Sequence, residues 1–174
     1  MTSTMTNTRI LGLGLIGVLV GALMSIPTAG VSGSAGSGAV EGTGAAGKGR
    51  QVFVLIQTDP NVEGGPIAAR GPIHAKGTDV VTGEFRDRFE FPDGNVIIRH
   101  KPKAGGSNET FDPVTCLFTF SERGTWRAVR GTGAYDEVKA HGRYRAFGQG
   151  FACDENQPPE VFYIKIRAVG SLSY

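Results

Sequence analysis

The sequence predicts a small all-β domain, either a sandwich or a closed barrel. After position 50, apolar and polar residues alternate with a period of two, and no stretch keeps helical spacing for long. Turn-forming glycine, proline and asparagine residues interrupt these runs every dozen residues or fewer. Such alternation is typical of half-buried strands, and regularly spaced turn signals are typical of sandwiches and barrels.

The strand-like segments can be followed in chain order. Residues 52–56 form an almost continuously apolar run, which favours a central strand. A single helical turn is expected near residues 136–139. Further strands are expected near residues 71–77, 84–91, 96–101, 114–120, 125–130, 141–147 and 162–168.

One hairpin can be given a register. Asp93-Gly94 at the centre of a tight turn is a strong hairpin signal, because both positions favour positive φ. The pairing of Pro92 with Asn95 then places Phe91 opposite Val96, Phe89 opposite Ile98 and Asp87 opposite His100. The apolar residues of both strands fall on the same face in this register, which supports it.

The N-terminus predicts an exported protein. Residues 1–30 contain one cation, Arg9, an apolar core and a small-residue exit, the pattern of a secretory signal peptide. A membrane anchor is not expected, because a spanning helix needs roughly 20 apolar residues and this run is shorter and glycine-rich. Residues 31–50, rich in Gly, Ser and Ala, are interpreted as a flexible linker, which leaves residues 51–174 for one folded domain.

The cysteine content and the charge narrow the function classes. Two cysteines in an exported chain most often pair, so a disulfide between Cys116 and Cys153 is expected. No metal-ligand spacing and no phosphate-binding glycine loop occurs, so neither a metal nor another cofactor is expected. Without Arg9, the 18 Lys and Arg become 17 against 16 Asp and Glu, and they alternate along the strands. Nucleic-acid binding is therefore not expected.

Asp87 and His100 are the candidate catalytic residues. Both continue apolar rows that should face inward, and an interior Asp–His pair can act as an acid–base couple. The alternative is structural, because two buried polar groups can also satisfy each other. Should the interior hold a ligand, the residues expected to line the site are Phe89, Ile98, Phe118, Trp126 and Tyr144.

Three glycine-rich runs carry a resemblance to a known family. They are Gly124-Thr125-Trp126 after Cys116-x-Phe-x-Phe, then Gly131-Thr132-Gly133-Ala134-Tyr135, then Gly142-Arg143-Tyr144. Over roughly residues 52–170 the chain resembles exported bacterial members of the allene oxide cyclase-like barrel group, to which dirigent proteins are structurally related. The resemblance implies an eight-stranded antiparallel barrel with an apolar cavity. The plant cyclases act there on a fatty-acid epoxide, and dirigent proteins steer phenolic radical coupling, but no catalytic residue of either family aligns here.

Three functions remain open from the sequence. The first is a secreted barrel that binds a small apolar ligand in its interior. The second is a cofactor-free cyclase or isomerase in which Asp87 and His100 move a proton. The third is a structural or surface-interaction barrel whose ten phenylalanines simply fill the interior. A homo-oligomer is compatible with each of them.

Overall fold

The strands close into a single antiparallel barrel in the computed structural model, which describes residues 47–154 and 159–174. Each strand pairs with the next along the chain, and β8 pairs with β1, which confirms the eight-stranded closed barrel. A 3-10 turn, Gly133–Tyr135, joins β6 to β7. The strands are β1 (Lys48–Gln57), β2 (Gly65–Arg70), β3 (Ala75–Gly83), β4 (Arg86–Phe91), β5 (Gly94–Asp112), β6 (Leu117–Gly131), β7 (Lys139–Phe151) and β8 (Val161–Ser173).

Several boundaries differ from the sequence prediction. The predicted signal peptide and most of the predicted linker lie outside the described residues, but β1 begins at Lys48, so residues 48–50 belong to the barrel. The strand β2 was not predicted, and residues 71–73 form the turn that follows it. Gly71 has a φ of 135°, which favours glycine and ends the strand there. Val114, the first residue of a predicted strand, instead lies in the β5–β6 turn and is 89% exposed, and β6 begins at Leu117.

The predicted β4–β5 register is wrong by two residues. The structure pairs Phe91 with Gly94 and Asp87 with Ile98. The turn is centred on Pro92 and Asp93, since proline favours the first central position of a turn and glycine favours its fourth and last position. Gly94 has a φ of 149° in that position. Because side chains alternate with a period of two, a shift of two residues keeps every side chain on its predicted face.

The inward side chains fill one end of the barrel with aromatic rings. Phe53 is fully buried, and its ring centroid lies 5.2 Å from that of Phe89 and 5.5 Å from that of Trp126, both edge-to-face. We call the buried set Phe53, Phe89, Phe91, Trp126 and Tyr135 the aromatic layer. Edge-to-face aromatic pairs contribute about 0.5–1.5 kcal/mol each beyond the area they bury. This end of the barrel is therefore a packed core.

The predicted disulfide is present. Cys116 and Cys153 are bonded, with their Cα atoms 4.7 Å apart. The bond joins the β5–β6 turn to the segment that follows β7, where the backbone N–H of Ala152 also donates to the carbonyl of Cys116 at 2.9 Å. We call this end of the barrel the disulfide end. Among the described residues, no helix is long and apolar enough to span a membrane.

Candidate functional site

Five ionisable or phenolic side chains meet inside the barrel, on the side of the aromatic layer that faces the disulfide end. Each comes from a different strand and lies on an inward, period-two position that is buried or half-buried. We call this set the polar layer. Its members are Asp79 on β3, Asp87 on β4, His100 on β5, Glu122 on β6 and Tyr144 on β7.

Direct contacts join four members of the polar layer. Nε2 of His100 lies 3.5 Å from Oδ2 of Asp87. The His100 ring meets the Tyr144 ring edge-to-face, with centroids 5.8 Å apart. The Tyr144 hydroxyl donates a hydrogen bond of 2.6 Å to Oε1 of Glu122, and Ser107 donates to the other Glu122 oxygen at 3.3 Å. Because β4 and β5 are shifted by two residues from the predicted register, Asp87 and His100 meet diagonally rather than directly across the pair.

Burial changes the acidity of three of these groups. Desolvation raises the pKa of Asp79 to about 8, with a further contribution from the neighbouring Asp87 carboxylate. Desolvation also raises the pKa of Asp87, and the charge of His100 opposes that rise. The pKa of Tyr144 is raised by burial and then by its hydrogen bond to Glu122. At neutral pH, Asp79 is therefore mostly protonated and Tyr144 remains a hydrogen-bond donor.

Two buried polar atoms beside this layer have no hydrogen-bond partner within the described protein. They are Oδ1 of Asp79 and Nε1 of Trp126. A cavity of about 20 Å³, the size of about one water molecule, adjoins Asp79 between Leu55 and Ile166. Buried polar groups are normally paired, so each such atom requires an explanation. A polar group that enters the barrel from solvent is one explanation.

An apolar cup lies between the polar layer and the disulfide end. The phenylalanine and isoleucine side chains of this cup are half-buried, whereas those of the aromatic layer are at most 6% exposed. On the inward face of β7, the strand next to β6 and β8, this region has only small residues. The Phe120 ring lies so close to Gly148 that a Cβ added there would come within 2.6 Å of it. The cup is formed by Phe118, Phe120, Ala146, Gly148, Gly150, Phe162, Ile164 and Ile166.

The sequence-predicted site residues divide among these regions. Asp87 and His100 are brought together, as described above. Phe89, Ile98 and Trp126 are core residues, each at most 4% exposed. Phe118 lies in the cup, and Tyr144 lies in the polar layer, 6% exposed.

Sequence reasoning missed Asp79 and Glu122. Glu122 could have been found, because it interrupts an otherwise apolar alternation from Phe118 to Trp126 and must face inward with that row. Asp79 gave a weaker signal, since its inward neighbours in β3 are Gly77 and Val81, and Val81 is itself 37% exposed. The pairing of β3 with β4 and of β6 with β5 places them beside Asp87 and His100.

The described residues contain no group of three His, Cys, Asp or Glu side chains that could hold a metal ion. No protein-family model, curated protein or solved structure matches the chain. The resemblance to allene oxide cyclase-like and dirigent barrels therefore stays a prediction from the sequence.

Proposed function

We propose that this barrel binds a small, neutral and largely apolar molecule in the apolar cup, with one polar group of that molecule held by the polar layer. The observation that carries the proposal is the half-buried apolar lining of the cup next to the unpaired Oδ1 of Asp79. As in the sequence-based expectation, the protein would act after export, where it would meet such molecules outside the cell.

The energetics favour an occupant of this kind. Covering apolar surface contributes about 25 cal/mol per Å², and the Phe118, Phe120 and Phe162 side chains still expose such surface. An unpaired buried polar atom costs about 1–3 kcal/mol, which a ligand oxygen or hydroxyl would recover. The carboxylates of Asp87 and Glu122 disfavour an anionic ligand. A neutral molecule with a carbonyl or hydroxyl group fits both regions.

A titration with Nile red, a neutral apolar dye with a ring carbonyl, tests the binding site. We expect saturable, blue-shifted fluorescence with the wild-type protein. Phe120→Asp, in the cup, should weaken binding at least tenfold, because it places a charge against the dye. The matched control is Phe147→Asp, whose wild-type side chain points outward from β7 and is 46% exposed; it should change the Kd less than twofold.

An equal loss of Nile red affinity in the two variants, each measured at a temperature well below its own Tm, would contradict an interior site. Native mass spectrometry of the protein from its own culture medium gives an independent measurement. A co-purifying molecule would identify the ligand class. A bare protein mass together with no Nile red binding would instead favour the packed structural barrel.

A second candidate function is cofactor-free isomerisation by proton transfer. It is favoured by the contact between Asp87 and His100 beside the Tyr144 ring. Asp87 would orient the imidazole, His100 would remove a proton from one atom of the ligand, and the same group would return it to another. If a co-purified ligand binds Asp87→Asn with unchanged affinity but is no longer converted, the pair is catalytic. If Asp87→Asn and His100→Ala only lower the Tm, the pair is structural.

A further inference from the structure

One side of the outer surface of the barrel is strongly basic, although the composition of the whole chain is nearly neutral. β1, β6, β7 and β8 are adjacent strands that lie wholly within the described residues, and Glu122, their one acidic residue, faces inward. All ten Lys and Arg residues of these strands are exposed. They are Lys48, Arg50, Arg123, Arg127, Arg130, Lys139, Arg143, Arg145, Lys165 and Arg167.

Strand pairing brings these cations into rows. In the first row, Arg123 of β6 pairs with Arg145 of β7, which pairs with Arg167 of β8. Neighbouring strands lie about 4.8 Å apart, so three guanidinium groups occupy a short line across the sheet. Like charges directly opposite each other destabilise a sheet. Within the described part of the chain, no ion pair joins any of the three to a carboxylate.

A second row runs parallel to the first. Arg86 of β4 pairs with Arg99 of β5, Arg99 pairs with Arg127, and Arg127 pairs with His141 of β7. This row lines an open groove of about 1140 Å³ on the outside of the barrel, in which Glu84 is the one acidic lining residue. Lys101 and Arg143 lie between the two rows, at either side of Thr125.

We propose that this outer face binds a linear acidic polysaccharide, one that carries carboxylate or sulfate ester groups along its length. Arginine matches carboxylate and related oxyanions through paired hydrogen bonds, and an anionic chain would relieve the repulsion within the rows. The arginine rows lie on the outer face, although the groove beside the second row also contacts His100 and Trp126. The proposal does not rest on the interior site.

The shape of the face and its side chains favour this polymer over other polyanions. The second row extends over four of the eight strands, so it curves around the barrel along a path that a flexible chain can follow and a flat bilayer cannot. Single-stranded nucleic acid is bound on aromatic side chains that stack with its bases. The residues between the two rows on β6 and β8 are Thr125 and Val169, and the exposed aromatic side chains near the rows, Phe85 in the groove and Phe147 on β7, stand singly rather than as a continuous stacking surface.

The experiment measures binding of heparin and of polygalacturonate by the full folded protein as a function of salt concentration. We expect binding that weakens steeply with salt. Arg145→Gln/Arg167→Gln should weaken the Kd at least tenfold at low salt and reduce the salt slope by about two, roughly one per cation removed. The matched control, Arg70→Gln/Lys76→Gln on β2 and β3, removes the same charge from the other side of the barrel and should change the Kd less than threefold.

The Tm distinguishes loss of binding from loss of fold, because removal of two row arginines relieves repulsion and should leave the Tm unchanged or higher. Three results would overturn the proposal: no binding of either polymer at low salt, equal losses in the two double variants, or tighter binding to a DNA oligonucleotide or to anionic phospholipid vesicles than to both polysaccharides.

Discussion

Replacement of Asp79 by asparagine is expected to stabilise the folded protein at pH 7.4 by up to about 5 kcal/mol, an upper limit set by the distance between pH 7.4 and the unfolded pKa of 3.8. Asp79 is 7% exposed, its Oδ1 has no partner among the described residues, and its pKa is about 8 rather than 3.8. The folded protein therefore holds a proton on Asp79 at neutral pH, whereas the unfolded chain has lost it. An amide of nearly the same shape needs no such proton.

The sign of the pH dependence follows from that difference. Because the pKa of the folded state is raised, the contribution of Asp79 is most favourable below about pH 4 and is lost as the pH rises from about 4 to about 8. Wild type and Asp79→Asn should therefore be equally stable near pH 4 and diverge toward pH 8.

Urea unfolding at pH 4, 6 and 8 measures this divergence. Asp136→Asn, at an exposed position beside the 3-10 turn, is the control and should follow the wild-type curve at every pH. A stability difference for Asp79→Asn that is the same at all three pH values would show that Asp79 acts through packing and not through its proton.

The second large effect is expected for the disulfide. The Cys116→Ser/Cys153→Ser double variant should lose about 4 kcal/mol of unfolding free energy, the chain-entropy value for a closed loop of this length. The cysteines are 37 positions apart, and the bond ties the β5–β6 turn to the end of β7. For a domain of this size the loss corresponds to a fall in Tm of about 10–15 °C.

Differential scanning calorimetry with and without a reductant tests this expectation. A reductant should lower the Tm of the wild-type protein to that of the double variant and leave the variant unchanged. A double variant as stable as the wild type would show that the β6–β7 ladder alone determines stability at the disulfide end.

Much of the fold could be predicted from local sequence. The alternation around Phe89 and Phe91 identified both the strand and its inward face, and the same held for Phe118 and Phe120. β2 escaped prediction because Gly65–Arg70 is only six residues long and contains Gly, Pro and two Ala, which are weak strand formers. The hairpin register failed because two turn geometries compete for the Pro92–Asn95 segment, and contact of Gly94 with the backbone of Thr132 helps to decide between them.

The candidate site could be predicted in part. Asp87 and His100 were identified because both continue apolar rows in adjacent strands. Asp79 and Glu122 lie on β3 and β6, which flank the β4–β5 hairpin, so their contact with the pair depends on strand pairings that the hairpin pattern does not show. The half-burial of the cup also depends on residues brought from β6, β7 and β8 together.

The sequence by itself determined which side chains face inward and which face outward, because the two-residue period of a strand is a local property of the backbone. It also determined the disulfide, since the chain offers one pair of cysteines. Only the tertiary structure decided which side chains become neighbours. Strand order and stagger placed five ionisable or phenolic groups in one interior layer and aligned arginines across the outer face, because pairing between strands depends on how the whole sheet closes.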